Sequence, residues 1–359
     1  MVYSMSFVCI PVLLGQLATI AGSSPLDVRG TPGWNLARFR SLVTFGDSYT
    51  DESRYNYFAT HNGSAPPPGW VDPPSNDTAS GGYTWARYVA FSANVSLYDY
   101  AVSGAVCSND LTPRYVSAIN GDYPSVLEYE VPAYVADSKV VEDGVPFLHI
   151  PPSETVYSIW IGTNDLGAGA FLTDAQVPGK TIPDYTNCVF SALDKVYANG
   201  ARFFVLQNVI PLQLAPLYAT PERHGVYVIQ EGNNSTNVTE VSYRMWETVR
   251  MVNEIFKYQL PFELLIQNRY PGARFALMDM YSLIADIYFN PDEYLASPAN
   301  VTGYIDQCDA NGDNCYRLSN QDSFLWFNSL HPSTKTDSII AEKFIEVVNG
   351  NSKYATYWG

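Results

Sequence analysis

The order of apolar and polar positions divides much of the chain into short apolar runs and longer stretches with helical spacing. Leu42–Phe45, Ser96–Ala101, Thr155–Ile161, Phe203–Val209 and Phe275–Met278 are rich in β-branched, aromatic and aliphatic residues. Runs of this kind read as strands, and as the buried strands of a parallel sheet when both faces are apolar. Helical patterns lie between them. Val189–Ala198 stops at Asn199-Gly200, as a helix end should. Val241–Leu260 sets Met245, Val249, Val252 and Phe256 on one face, an ordinary core stripe, and should break at Pro261. Asp337–Val348 carries Ile339, Ile340, Phe344 and Val347 inward. The alternation predicts an α/β fold: a parallel central sheet with helices on both faces.

One segment departs from the pattern. Residues 53–80 hold Pro66-Pro67-Pro68 and Pro73-Pro74 and read as a surface loop, which begins five residues after Ser48 and so should form part of a rim near it. Tyr57 and Trp70 there either stack on a sugar ring or pack within the loop, and packing is the simpler reading. No repeat or low-complexity linker divides residues 22–359, so one domain is expected.

Composition adds a compartment. Residues 1–21 form an uncharged apolar leader, with Phe7–Leu14 as its core and Thr19-Ile20-Ala21 as a small-residue cleavage site. The core is too short to span a bilayer, although its start lacks the usual Lys or Arg, and a signal peptide and a secreted product are expected. Cys9 leaves with the leader. Cys107, Cys188, Cys308 and Cys315 remain, an even number that suits two disulfides in an exported chain. Cys308 and Cys315 flank a turn-rich stretch that a local bridge would close, leaving Cys107 with Cys188 by elimination; three pairings are formally open. Seven sequons, at Asn62, Asn76, Asn94, Asn233, Asn234, Asn237 and Asn300, suit glycosylated surface loops. A net charge of −16 argues against nucleic acid and anionic membranes as partners.

The candidate chemistry sits where strands end. Gly46-Asp47-Ser48 directly follows the first run, and open α/β sheets keep their chemistry at the carboxyl edge. A serine hydroxyl needs a base to take its proton. Of His61, His149, His224 and His331, only His331 stands in a suitable context, just before the last helix. Ser103-Gly104 and Gly162-Thr163-Asn164-Asp165 complete four ordered blocks with Gly46-Asp47-Ser48 and His331-Pro332. No HExxH, P-loop or dinucleotide fingerprint occurs, and Asp309–Asn314 lacks the spacing of a calcium loop, so no metal or cofactor is expected.

These four blocks resemble the GDSL or SGNH hydrolase superfamily, over nearly the whole chain beyond the leader. The string Phe45-Gly46-Asp47-Ser48-Tyr49-Thr50-Asp51-Glu52-Ser53-Arg54 is similar to secreted fungal acetylesterases of carbohydrate esterase family 16. The resemblance implies a three-layer α/β/α SGNH-type fold with Ser48 as nucleophile and His331 as base. It implies an oxyanion hole made of the Ser48 and Gly104 N–H groups and the Asn164 amide. It implies an acetylesterase acting on acetylated oligosaccharides, with short xylo-oligosaccharides as the expected substrate. The rival readings are a lipase-like or general carboxylesterase and a catalytically weakened carbohydrate-binding relative. One position departs from the family, which has Asp three residues before the histidine where this chain has Asn328. An amide brings no charge and can favour the wrong imidazole tautomer. Three outcomes are open: a Ser–His dyad, a substitute carboxylate such as Asp322 or Asp279, or a weakened enzyme.

Overall fold

Each of the five apolar runs becomes a strand. The computed structural model describes residues 34–226, 237–308 and 314–359. In it β1 (Ser41–Gly46), β2 (Ser96–Asp99), β3 (Thr155–Trp160), β4 (Phe203–Gln207), β5 (Arg274–Met278) and β6 (Ala355–Trp358) form one sheet in the order β6-β5-β4-β3-β1-β2. Strands β1 to β5 are mutually parallel, and every residue of β1, β3 and β4 is buried, which is why these runs carry no polar alternation. The expected all-parallel sheet needs one correction, because β6 pairs antiparallel along β5. A four-residue edge strand carries no long apolar run for the sequence pattern to reveal.

Strand order locates the crevice. From β1 the chain steps to β2 on one side, and then returns to β3 on the other. At such a reversal the connections leave on opposite faces and a cleft opens at the carboxyl ends. Here it lies between β1 and β3, where Gly46 pairs with Trp160. Ser48 and Asn164 therefore leave adjacent strands at one edge.

The helices are α1 (Arg54–Thr60), α2 (Trp85–Ala93), α3 (Val131–Asp137), α4 (Ile182–Ala198), α5 (Val238–Pro261), α6 (Met280–Phe289) and α7 (Thr334–Val348). Helix α4 starts seven residues earlier than its apolar spacing indicates. Thr181 and Asp184 form a capping box there, and a proline in the first turn needs no hydrogen-bonded N–H. The α-helical part of α5 ends at Pro261, as its sequence suggests, but the chain stays helical beyond it. A wider turn follows at Phe262–Ile266, where the Gln267 N–H bonds Phe262 O at 3.0 Å, five residues back. The expected stripe of Met245, Val249, Val252 and Phe256 is buried. Trp85 of α2 meets Phe344 of α7 at a ring separation of 4.7 Å, binding the last helix to the second.

The proline-rich segment is a loop only in its second part, since α1 occupies its start. Arg54, buried at the head of α1, pairs with Asp72 at 3.3 Å and donates to Asp99 O at 2.9 and 3.1 Å. The loop is thus pinned to the carboxyl end of β2. Tyr57 stacks on His61 at 3.8 Å and meets Trp70 at 5.0 Å, so these rings pack among themselves.

Cys107 is bonded to Cys188 and Cys308 to Cys315. Asn62, Asn76, Asn94 and Asn237 are exposed and Asn300 is half-buried, whereas the leader 1–21, Asn233 and Asn234 lie outside the described residues. Among the described residues no helix is long and apolar enough to cross a membrane.

Candidate active site

Two glycines shape the approach to Ser48. A Cβ on Gly46 would stand 2.3 Å from the Trp160 carbonyl oxygen, so only glycine lets β1 and β3 run this close. Its N–H is held by Glu130 Oε2 at 2.9 Å. In the turn that follows, Thr50 and Asp51 N–H groups bond Asp47 O, and the Tyr49 N–H bonds Asp47 Oδ1 at 3.1 Å. The Ser48 N–H between them meets no protein acceptor among the described residues. Gly104 is the second glycine, with φ +86° and the Tyr123 ring where a Cβ would stand. Its N–H is likewise without a protein acceptor, whereas those of Ser103 and Ala105 are engaged.

His331 arrives from the other end of the chain. The short strand Phe324–Trp326 leads into a turn in which the Phe327 N–H bonds His331 O at 2.8 Å. Ser333 then caps α7, its Oγ accepting from the Thr336 N–H. This turn sets His331 Nε2 at 2.8 Å from Ser48 Oγ. Tyr49 holds the turn from below, donating to Leu330 O at 2.9 Å and meeting the imidazole edge-on at 5.6 Å.

Asn328 fills the departing position. Its Oδ1 accepts from His331 Nδ1 at 2.9 Å, and also from the backbone N–H groups of His331 at 2.9 Å and Leu330 at 3.0 Å. Backbone N–H groups only donate, so the amide oxygen, not the NH2, must face them. That removes the flip. Nδ1 then carries the proton, and the Nε2 lone pair faces Ser48. The two alternative carboxylates stand elsewhere: Asp279 caps α6 and binds Ser282 and Asn208, and Asp322 is exposed in a turn at 321–323. Burial pushes the His331 imidazole down to about 4, with no neighbouring carboxylate to raise it.

Asn164 stands in the turn just past the end of β3. Its Nδ2 donates to Ala105 O at 2.9 Å, which fixes the amide and leaves its second N–H available. Three donors therefore stand at this edge without protein acceptors: the Ser48 N–H, the Gly104 N–H and one Asn164 N–H. His61, His149 and His224 are all exposed. A separate cleft of about 260 Å³, lined by residues such as Arg250, Lys257, Asp279, Tyr281, Lys353 and Tyr354, contains none of the four blocks.

Sequence reasoning places Ser48, Gly104, Asn164 and His331 at this edge, and the structure brings Ser48 and His331 into contact. It misses Glu130 and Tyr49. Tyr49 adjoins Ser48 within the quoted string, but nothing in that spacing says what its hydroxyl reaches. Glu130 lies 84 residues from Gly46 and carries no signal.

Comparison with known proteins bears on the same elements. The chain matches the family described as GDSL-like Lipase/Acylhydrolase over residues 42–344. It is 43% identical over 323 residues to an acetylesterase of Hypocrea jecorina, covering 89% of this chain and 92% of that protein. An acetylesterase of Thermothelomyces thermophilus is 24% identical over 324 residues, with coverage of 86% and 88%. Among solved structures, an acetylxylan esterase from Geobacillus stearothermophilus is similar at 13% identity and a TM-score of 0.38, covering 89% of this chain and 99% of that one. The family match runs from β1 into α7, the stretch that delivers all four blocks, so the chain belongs to the GDSL-like lipase/acylhydrolase family and is a carboxylic ester hydrolase.

Proposed function

We propose that the chain is a secreted serine acetylesterase that removes O-acetyl groups from carbohydrates, with short acetylated xylo-oligosaccharides as substrate. The observation that carries this reading is the line Ser48 Oγ–His331 Nε2–Asn328, with the tautomer fixed by two backbone N–H groups. The names of the two fungal relatives supply the acetyl group. The apolar leader and the two disulfides support export.

Ser48 Oγ attacks the acetyl carbonyl carbon as its proton passes to His331 Nε2. The charge left on the imidazolium is spread to Asn328 Oδ1 through the Nδ1–H. The carbonyl oxygen becomes an oxyanion, which the Ser48 N–H, the Gly104 N–H and the free Asn164 N–H receive. Donors already in place lower the barrier, because they need not reorganise as charge develops. Collapse breaks the ester C–O bond, and His331 returns its proton to the departing sugar oxygen. Water, deprotonated by His331, then attacks the acyl-enzyme and releases acetate with Ser48 restored.

The test compares acetate release from acetylated xylo-oligosaccharides with hydrolysis of a long-chain ester. Preference for the acetylated sugar supports the reading, and preference for the long chain makes the enzyme lipase-like. Ser48→Ala should abolish both activities in a folded protein. An organophosphate that fails to label Ser48 would point to a non-catalytic carbohydrate-binding relative. Asn164→Ala should lower kcat by roughly 10²–10³ with KM little changed, since that donor acts mainly in the transition state.

A further inference from the structure

Two carboxyls in the block sequences have no part in the steps above. Asp51 lies three residues after Ser48, and Asp165 directly follows Asn164; both are buried, at 4% and 0% exposure. No Lys or Arg stands against either one among the described residues. Burying a carboxyl without a cation is costly unless hydrogen bonds offset it. Here the offset comes from the head of α1, whose Arg54 and Tyr55 N–H groups bond Asp51, and from the loop that carries Gly104.

Asp51 Oδ2 accepts the Ser103 N–H at 2.7 Å, while its Oδ1 accepts the Arg54 N–H at 2.7 Å. Asp165 accepts the Cys107 N–H on both oxygens, at 3.0 and 3.2 Å, and the Thr112 hydroxyl at 3.2 Å. Between these anchors Arg114 donates to Gly104 O at 3.0 Å and Asn164 to Ala105 O at 2.9 Å. The segment 103–107 is thus gripped from the β1 side by one carboxyl and from the β3 side by the other. Gly104, in the middle, keeps its N–H unengaged.

We infer that Asp51 and Asp165 are positioning residues that clamp the oxyanion loop between the nucleophile turn and the Asn164 turn, fixing the Gly104 N–H and the Asn164 amide where charge develops. The inference rests on Ser48, Gly104 and Asn164 being the reacting site. Neither carboxyl touches substrate. Their effect passes through the loop, and it is needed most in the transition state, when the oxygen moves off the carbonyl plane toward its donors.

Asp51→Asn and Asp165→Asn each keep side-chain volume but replace an acceptor oxygen with NH2, so that a donor faces backbone donors. With kcat expressed per Ser48 titrated by an organophosphate, each variant should lose on the order of tenfold to a hundredfold, the scale of a small misplacement, with KM for an acetyl ester little changed. The Ki of a boronic acid, whose tetrahedral adduct on Ser48 uses the same donors, should rise in parallel. Asp165→Asn should cost far less in an Asn164→Ala background, because both act through one hole. Unchanged kcat per titrated serine in both variants overturns the inference. So does full additivity of Asp165→Asn with Asn164→Ala, which would mark a structural role only. Where an Asn variant does not accumulate, the Glu variant at that position keeps the charge but lengthens the tether, and normal turnover there also overturns the clamp. Activity in folded Ser48→Ala would sink the underlying site instead, and is told apart by that variant alone.

Discussion

Asn328 shows how one neutral amide can keep half of what an aspartate does. In serine proteases the corresponding Asp-to-Asn change lowers turnover about 10⁴-fold, because the amide selects the wrong tautomer. Here the Leu330 and His331 N–H groups hold Oδ1 toward Nδ1, so orientation survives and only the charge is lost. Asn328→Asp should keep these three bonds and add a negative charge beside Nδ1. The sign follows directly. His331 acts as a base only when neutral, and burial holds it near 4. A carboxylate favours the protonated form, so the acid limb of kcat/KM should move from about pH 4 to higher pH, while kcat at neutral pH rises as the imidazolium is stabilised. A pH–rate profile of the variant that keeps its acid limb in place and gains nothing at neutral pH would refute this account. The four blocks are legible in the sequence because each sets a chemically able side chain just past an element boundary. The orientation of Asn328 is not, since it depends on two backbone groups of a turn that carries no sequence signature.

At the scale of elements, β1 and β3 approach so closely that the site depends on a position with no side chain. Gly46→Ala would drive a methyl group against the Trp160 carbonyl, which is backbone in the next strand and cannot swing away. We expect a loss of about 3 kcal/mol or more in unfolding free energy, from steric strain and a loosened strand pair, measured by urea denaturation. A change below about 0.5 kcal/mol, the usual scatter of surface substitutions, would mean that the two strands can separate freely. The central strands are legible because burial on both faces leaves an unbroken apolar run. The less regular parts are not. Helix α1 hides among prolines and small polar residues. The early start of α4 depends on a capping box whose apolar periodicity has not yet begun, and the wider turn that carries the chain on past Pro261 has no buried apolar face of its own. Strand β6 is too short and too exposed at its start to announce itself.

The whole molecule is acidic, and its acids are unusually deep. Asp47 and Asp165 are pushed up to about 7, and Asp51, Asp99, Glu130 and Asp337 are also raised, burial being the first cause in all six. A carboxyl whose folded pKa exceeds its unfolded value near 4 holds a proton that the unfolded chain releases. Its contribution is full below that unfolded value and is lost as pH rises through the folded value, about 7 for Asp47 and Asp165. His331 runs the other way, its contribution falling as pH drops from about 6.5 to about 4. Six groups outweigh one, and self-repulsion at a net charge of −16 adds to them at neutral pH. Tm should therefore be highest in mildly acid buffer and decline through pH 7; a Tm that climbs steadily from pH 4.5 to 7.5 contradicts this. The contact between Ser48 and His331 has another bearing at this scale. It joins residues 283 positions apart, so the nucleophile meets its base only after nearly every intervening element has docked. Contacts this distant in sequence form slowly, because the loop must close before they reward it. A nascent chain cut before His331 lacks the base and is thus inert however well its first five strands have formed. Return of esterase activity during refolding should trail the burial of the core tryptophans, so the hydrolysis itself serves as a clock for the last step of assembly.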